Sequence, residues 1–133
     1  MKKILFINVY DDPYTFLKEI GLENEYTPYD KKGNITKEFE NLLSDFFYQS
    51  DPDFCKINDN TYPFYIAKKK NKIYVFYEYV KDEDLKTFKN LIKKFITGEL
   101  TPVTTSWKEF KNFKKAIAYR GGIGYSYIFY IDV

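Results

Sequence analysis

The two main kinds of aromatic residue in this 133-residue chain fall into different kinds of segment. Segments with helical spacing carry mostly Phe, whereas segments with strand-like alternation carry mostly Tyr. A Phe ring is most stable when fully buried, but a Tyr ring also has a hydroxyl that needs water or a partner. We therefore expect buried helix faces, together with strands from which some tyrosines reach the surface.

Four segments are predicted to be strands. Residues 3–10 are apolar on both faces, which favours a central position in a sheet. Residues 62–68 and 72–80 are rich in aromatic and β-branched residues and flank a short polar turn, which predicts a β-hairpin. Residues 123–133 alternate strictly and predict a final strand. The polar, turn-rich residues 50–60 are predicted to be a connector.

Four helices are predicted from apolar residues that recur at helical spacing. The first is short, with Asp12 as its N-cap, and Gly21 ends it. The second carries its apolar stripe from Ile35 to Phe47. The third runs from the acidic residues 82–84 to the basic residues 93–94, which suits the helix dipole at both ends. The fourth begins at a capping box of Ser106 and Glu109, buries Trp107, Phe110, Phe113 and Ile117, and ends at Arg120.

The predicted order is therefore β-α-α-β-β-α-α-β, within a single domain of residues 1–133. With each helix pair taken as one layer element, this is an elaboration of the ferredoxin-like βαββαβ order. We expect an α+β fold in which the helices pack on one four-stranded, mainly antiparallel sheet. A mixed sheet with helices on both faces is the main alternative.

Composition excludes several kinds of functional site. The chain has no His, which removes the commonest general base and metal ligand. It has one Cys, so neither an internal disulfide nor a zinc site built from cysteines can form within it. The 21 basic and 19 acidic residues leave a net charge of +2, which argues against a DNA mimic and against a strongly basic nucleic-acid coat. We expect no enzyme activity, no cofactor and no metal site.

The single thiol and the N-terminal residues bear on the cellular location of the protein. Lys56 follows Cys55 and could activate it, although a small buried apolar residue is the more common role for such a cysteine. The apolar run that starts at Ile4 ends at Asp11, too early for a signal peptide, and no apolar stretch is long enough to span a membrane. We expect a cytoplasmic protein without a membrane partner, as a monomer or a small homo-oligomer.

Acidic residues follow the first predicted strand directly. In residues 3–13 the apolar strand leads into Asp11, Asp12 and Pro13, and this stretch resembles the opening of a response-regulator receiver domain. The resemblance implies Mg²⁺-binding acids at the carboxyl end of a strand. The resemblance covers about a tenth of the chain. It does not extend further, because the phosphoacceptor Asp of such a domain ends another buried strand, whereas Asp51 follows a helical pattern. Whether Asp11 and Asp12 bind a metal stays open, with a helix cap at Asp12 as the alternative.

The aromatic strands also resemble part of an RNA-recognition motif. On the third predicted strand Lys72, Tyr74, Phe76 and Tyr79 match the basic and aromatic positions of its longer signature, and residues 5–7 resemble its shorter one. The resemblance implies bases stacked on an open sheet face. Ile73 and Val75 replace the small residues of that signature, and helices that covered this face would make the same rings part of the core.

These observations favour a binding protein over an enzyme. We expect a small inhibitor of the immunity-protein or anti-defence type, which neutralises a toxin or nuclease by covering its active site. Tyrosines are favoured on recognition surfaces because they offer a large rigid area at low entropic cost. An RNA- or nucleotide-binding domain is the alternative function. The candidate partner-binding residues lie in the hairpin and the last strand: Tyr65, Lys69, Lys70, Tyr74, Tyr77, Tyr79, Tyr125 and Tyr127.

Overall fold

The computed structural model describes residues 2–49, 52–100, 103–104, 116–122 and 125–131, and the side chains of residues 2–47 and 52–100. The chain divides into two compact units. Unit 1 comprises residues 1–50 and 65–78, and unit 2 comprises residues 51–64 and 79–133. In chain order the elements are β1 (Lys3–Asn8), α1 (Pro13–Glu19), α2 (Lys37–Gln49), β2 (Asp53–Ile57), β3 (Asn60–Lys68), β4 (Lys72–Tyr77), α3 (Asp82–Thr97), β5 (Val103–Thr104), β6 (Ala116–Gly122) and β7 (Tyr125–Ile131).

The three helices begin and end near the residues that the sequence indicates. The Asp12 side chain caps α1 by accepting a hydrogen bond from the Thr15 amide, and Pro13 occupies the first turn. Three acidic residues open α3, and Gly98 ends it with a left-handed backbone at φ 76°. The predictions for these three helices are confirmed. None of the helices in the described part of the chain is long and apolar enough to cross a membrane.

The sheet of unit 1 is mixed, so the prediction of a mainly antiparallel sheet is wrong. β1 pairs with β4 in parallel, from Lys3 opposite Lys72 to Asn8 opposite Tyr77. β4 then lies beside β3, and the amide of Lys69 donates to the carbonyl of Lys72 across the turn, which confirms the predicted hairpin. β1 stands at the end of the described strand order and not in its centre. Two helices and two strands separate β1 from β4 along the chain, which is long enough for parallel pairing, whereas a short turn requires antiparallel strands.

Phe16 is the centre of the core of unit 1. Its ring lies 5.4 Å from the ring of Phe76 on β4 and 5.1 Å from that of Phe46 on α2, both edge to face. Phe39 and Phe47 of α2 complete the aromatic cluster. Val9, Leu17 and Leu43 fill the space around these rings. The helices α1 and α2 therefore cover the sheet face of unit 1 that carries Phe76.

Unit 2 contains a strand that the sequence interpretation missed. The segment 50–60, predicted to be a connector, includes β2, which forms a hairpin with β3 from Asp53 opposite Phe64 to Ile57 opposite Asn60. Asn58 takes φ 55° in the two-residue turn, a conformation that Asn tolerates better than most residues. The predicted element order is therefore wrong, because three strands rather than two lie between α2 and α3.

The predicted fourth helix is wrong over its last residues. Ala116–Gly122 form β6, which pairs antiparallel with β2 on one side and with β7 on the other. Hydrogen bonds to β2, which is distant in the chain, and to the adjacent strand β7 outweigh the local helical spacing around Ile117. Trp107, Phe110 and Phe113 lie outside the described residues. The predicted final strand is confirmed as β7, whose other neighbour is β5.

In unit 2, α3 packs on the face of β3 that carries Tyr62 and Phe64. The ring of Phe88 lies 6.3 Å from that of Tyr62 and 6.0 Å from that of Phe64, edge to face in both cases. Phe95, two turns further along, contacts Phe64 at 6.3 Å. The predicted inward face of α3 is therefore confirmed, since four of its apolar residues are buried: Phe88, Leu91, Ile92 and Phe95.

Replacement of Phe16 by Ala is expected to lower the free energy of unfolding by about 3–5 kcal/mol, because it leaves a cavity among four aromatic rings. Urea denaturation followed by circular dichroism measures the loss. Lys18→Ala in the same helix is the control, since Lys18 is exposed, and it should cost less than about 0.5 kcal/mol. Equal losses in the two variants would contradict this account of the core.

Candidate functional site

In unit 1 the carboxyl ends of the parallel strands β1 and β4 are joined by Asn8. Its Nδ2 donates to the carbonyl of Glu78 at 2.8 Å, and the amide of Val9 donates to the carbonyl of Tyr77 at 2.9 Å. The Oδ1 of Asn8 accepts from the amide of Tyr10 at 2.9 Å. The loop that leaves β1 is thus held on the end of β4. The carboxyl ends of parallel strands are where open α/β sheets commonly bind ligands.

The two acidic residues of this loop have different roles. Asp11 is exposed, and its amide donates to the Asn8 carbonyl at 3.1 Å. Both carboxylate oxygens of Asp12 are bonded to Thr15, one to its amide at 3.3 Å and one to its hydroxyl at 2.8 Å. Asp12 is therefore a helix cap. Among the residues with described side chains, no three His, Cys, Asp or Glu come together as metal ligands.

Two acidic groups on the β4 side of this edge have raised pKa values. Burial raises the pKa of the Tyr77 phenol, and the nearby negative charge of Asp11 raises it further. Burial also raises the pKa of the Glu78 carboxyl. Both shifts favour the protonated, uncharged form of the group.

Tyr14 is a large exposed aromatic residue next to this edge. It lies in the first turn of α1 with 62% of its surface exposed. Its ring lies 6.2 Å from that of Tyr29, whose hydroxyl donates to the carbonyl of Tyr10 at 2.7 Å. Because Tyr29 is held in place by this hydrogen bond, it supports the exposed ring of Tyr14 from one side. Exposed Asp11 lies three residues before Tyr14 along the chain.

Unit 2 contains a buried carboxylate in the first turn of α3. Asp84 is 5% exposed, and its Oδ2 accepts hydrogen bonds from the hydroxyl of Tyr62 at 2.5 Å and from the Nδ2 of Asn60 at 3.4 Å. These bonds join the start of α3 to β3. Buried carboxylates are costly unless they accept hydrogen bonds, and a helix N-terminus favours negative charge. Asp84 therefore connects α3 to the β2–β3 hairpin.

This carboxylate changes the ionisation of two neighbours. Burial raises the pKa of Tyr62, and the hydrogen bond to Asp84 raises it further. Burial and the charge of Asp84 raise the pKa of the Cys55 thiol, which is fully buried in β2. The possibility that Lys56 activates Cys55 is thereby contradicted, because the pKa moves away from the thiolate form.

The predicted partner-binding residues differ in how much surface they offer. Tyr79 is 67% exposed, and Lys69 and Lys70 are exposed in the hairpin turn. Tyr77 is 8% exposed and offers little to a partner. Tyr65 and Tyr74 are half-buried against the core of unit 1. Tyr125 and Tyr127 lie in β7, and their side chains are outside the described part of the chain. Among the described side chains of the set, Lys69, Lys70 and Tyr79 are therefore the exposed ones.

Among the rings that resemble an RNA-recognition motif, Phe76 is covered and Tyr74 is half-buried, whereas Tyr79 is exposed. Phe76 is fully buried against Phe16, and the ring of Tyr74 is stacked on that of Phe76 at 5.8 Å with an interplanar angle of 10°. Bases need a free ring face in order to stack. Phe76 has a free ring face only if α1 moves away from the sheet.

Three residues of interest were not singled out from the sequence. Tyr14 lies outside the predicted strands, Asp84 stands in the sequence as one of three acids that suit the helix dipole, and Glu19 has no distinctive sequence context. Asp84 sits at helical spacing with the buried residues Phe88 and Leu91, which is the sequence signal that places it on the inward face of α3.

Comparison of the chain with protein-family models, with curated proteins and with solved structures found no match in any of the three.

Burial of the Tyr62 phenol, together with its hydrogen bond to Asp84, is expected to make the free energy of unfolding depend on pH in the alkaline range. Folding raises the pKa of Tyr62 above its ordinary value of 10.0. The folded state therefore binds this proton more tightly than the unfolded state does. The associated stabilisation is fully present below pH 10 and is lost as the pH rises above it. Urea denaturation between pH 8 and pH 11 should show a steeper loss in the wild type than in Tyr62→Phe, since the variant lacks the phenol. Equal slopes would contradict the prediction.

The Cys55 thiol is expected to react only when the fold opens. It is fully buried and its pKa is raised, so a thiol-specific reagent at pH 8 should modify the native protein very slowly. The rate should rise with urea concentration in parallel with the unfolded fraction. Rapid modification without denaturant would show that the thiol is accessible in the folded state. Cys55→Ala supplies the background rate.

Proposed function

We propose that this protein binds another protein and inhibits it by covering its active site. The observation that carries the proposal is the exposure of one large tyrosine on each unit, Tyr14 at 62% and Tyr79 at 67%. A tyrosine buries a large area on binding and loses little side-chain entropy, which is why this residue type is enriched at the energetic centres of interfaces.

Both tyrosines project from well-ordered surroundings. Tyr14 follows the capped start of α1 and rests against Tyr29. Tyr79 precedes Val80, which is buried, and the first turn of α3, which Asp84 fastens to β3. A preorganised aromatic ring costs less free energy to immobilise in a complex than a ring on a mobile segment does.

The flanking charges suggest the chemistry of the partner. Asp11 is exposed before Tyr14, and Lys81, Asp82 and Glu83 are exposed after Tyr79, where the two acids outnumber the one lysine. Acidic rims around aromatic contacts speed association with a basic surface and orient the two proteins. Proteins that cut or bind nucleic acid have basic clefts, because they neutralise phosphates. We therefore favour a nuclease-like toxin or defence effector as the partner, with this protein as its immunity or anti-defence inhibitor.

The inhibition itself requires no chemistry from this chain. The tyrosines fill recesses beside the partner's active site, the acidic residues pair with its cationic groups, and substrate is kept out by occupancy. Residues Lys69 and Lys70 belong to the same proposal as contacts at the edge of the interface, where charges affect the association rate more than the affinity.

The proposal is tested by placing a photo-crosslinking phenylalanine analogue at Tyr79 in cells that produce the protein. We expect covalent capture of one partner, whose enzymatic activity the purified wild-type protein abolishes. The same analogue at Lys31, an exposed loop residue, is the control for capture by mere exposure. Identical capture at both positions, or a captured partner whose activity is unchanged by the wild-type protein, would contradict the proposal.

Affinity measurements on the purified pair give the sharper test. Tyr79→Ala and Tyr14→Ala should each weaken binding by about 30-fold, the effect of losing about 2 kcal/mol at an interface hot spot. Tyr79→Phe keeps the ring and should change the affinity much less. Lys31→Ala should leave it unchanged. Alanine variants that bind like the wild type would remove both tyrosines from the interface.

A further inference from the structure

Glu19, the last residue of α1, has a buried side chain that depends on one cation. Its side chain is 7% exposed, and its Oε2 lies 3.1 Å from the Nζ of Lys69 in the turn between β3 and β4. This oxygen is inaccessible to solvent and accepts no hydrogen bond from a donor in the described residues. The ion pair with Lys69 is therefore the interaction that compensates the buried charge.

The position of Glu19 makes that dependence stronger. The C-terminal end of a helix carries a partial negative charge, so a carboxylate there is disfavoured by the helix itself. Lys18 precedes Glu19 but is exposed, and the charge that reaches the buried oxygen comes from Lys69. An uncompensated carboxylate in this place would have to gain water, which requires the covering residues to move.

Lys69 also belongs to the tip of the β3–β4 hairpin, residues 69–71. Its amide donates to the carbonyl of Lys72 at 2.8 Å, and its side chain is 54% exposed. One residue thus combines a backbone bond that closes the turn, an ion pair that reaches α1 and an amine that solvent can reach. Lys70, its neighbour, is exposed and makes no ion pair with the described residues.

We propose that the Glu19–Lys69 ion pair is a charge-controlled clasp, which holds the hairpin tip on the end of α1 for as long as Lys69 carries its positive charge. The clasp goes beyond the proposed inhibition and does not depend on it. Buried ion pairs add little net stability compared with apolar contacts, and their best-attested role is to specify one arrangement or to act as a switch. Neutralising Lys69 releases the tip, because the carboxylate is then buried without a counter-ion.

The clasp is tested by amide hydrogen exchange at position 69 in the full chain, since this amide reports whether the turn is closed. Lys69→Gln removes the charge and should speed exchange at least about tenfold relative to the wild type, after correction for intrinsic rates. Lys70→Gln is the matched control and should change it by less than about twofold, since Lys70 is exposed. Lys69→Arg keeps the charge and should remain close to the wild type.

The coupling to Glu19 decides between a clasp and a general effect of substitution in the turn. Glu19→Gln combined with Lys69→Gln should restore slow exchange, because no buried charge is left without a partner. Glu19→Gln alone should have a smaller effect than Lys69→Gln, since it leaves only a half-exposed amine unpaired. An unchanged rate in Lys69→Gln, or a double variant that exchanges as fast as Lys69→Gln, would overturn the proposal.

Discussion

The parallel pairing of β1 with β4 determines the arrangement of unit 1. Parallel neighbours cannot be joined by a tight turn, so the chain must leave the sheet and return, and α1 and α2 lie in that excursion. The same pairing brings the loop after β1 to the end of β4, where Asn8 bonds to the Glu78 carbonyl. The exposed Asp11 and Tyr14 follow within one short segment. The acidic and aromatic edge of unit 1 is thus a consequence of strand direction.

Local patterns in the sequence predict the helices well, because caps, dipole-matched charges and apolar stripes are properties of neighbouring residues. They fail where partners distant in the chain decide the outcome. β2 is only five residues long and lies between Pro52 and the Asn58 turn, so its neighbourhood has the composition of a loop. Its hydrogen bonds come from β3 and from β6, which is some 60 residues away in the chain. β6 itself follows residues at helical spacing, and pairing with two strands overrides that spacing.

The sequence identifies candidate contact residues on the strands but not which of them are exposed. Strand alternation places side chains on one face or the other but does not say which face a helix covers. The structure shows the outcome. Tyr74 packs against the core of unit 1 and Tyr77 is buried on β4, whereas Tyr79, beyond the end of the strand, is exposed. Most phenylalanines of the helices are buried, as predicted, but the strand tyrosines Tyr62 and Tyr77 are buried too. Tyr62 meets its need for a hydrogen bond inside the protein, at Asp84.

The two buried carboxylates illustrate how position on a helix sets what a charge requires. Asp84 lies in the first turn of α3, where the helix dipole favours a negative charge, and two neutral donors suffice to satisfy Oδ2. Glu19 lies at the opposite end of α1, where the dipole opposes it, and it is paired with a lysine from another element. The neutral donors at Asp84 are not attracted by other anions as a cation is, whereas the amine of Lys69 can be drawn away by another anion. The contact at Asp84 is therefore suited to permanent support of α3, and the contact at Glu19 to a connection that can be released.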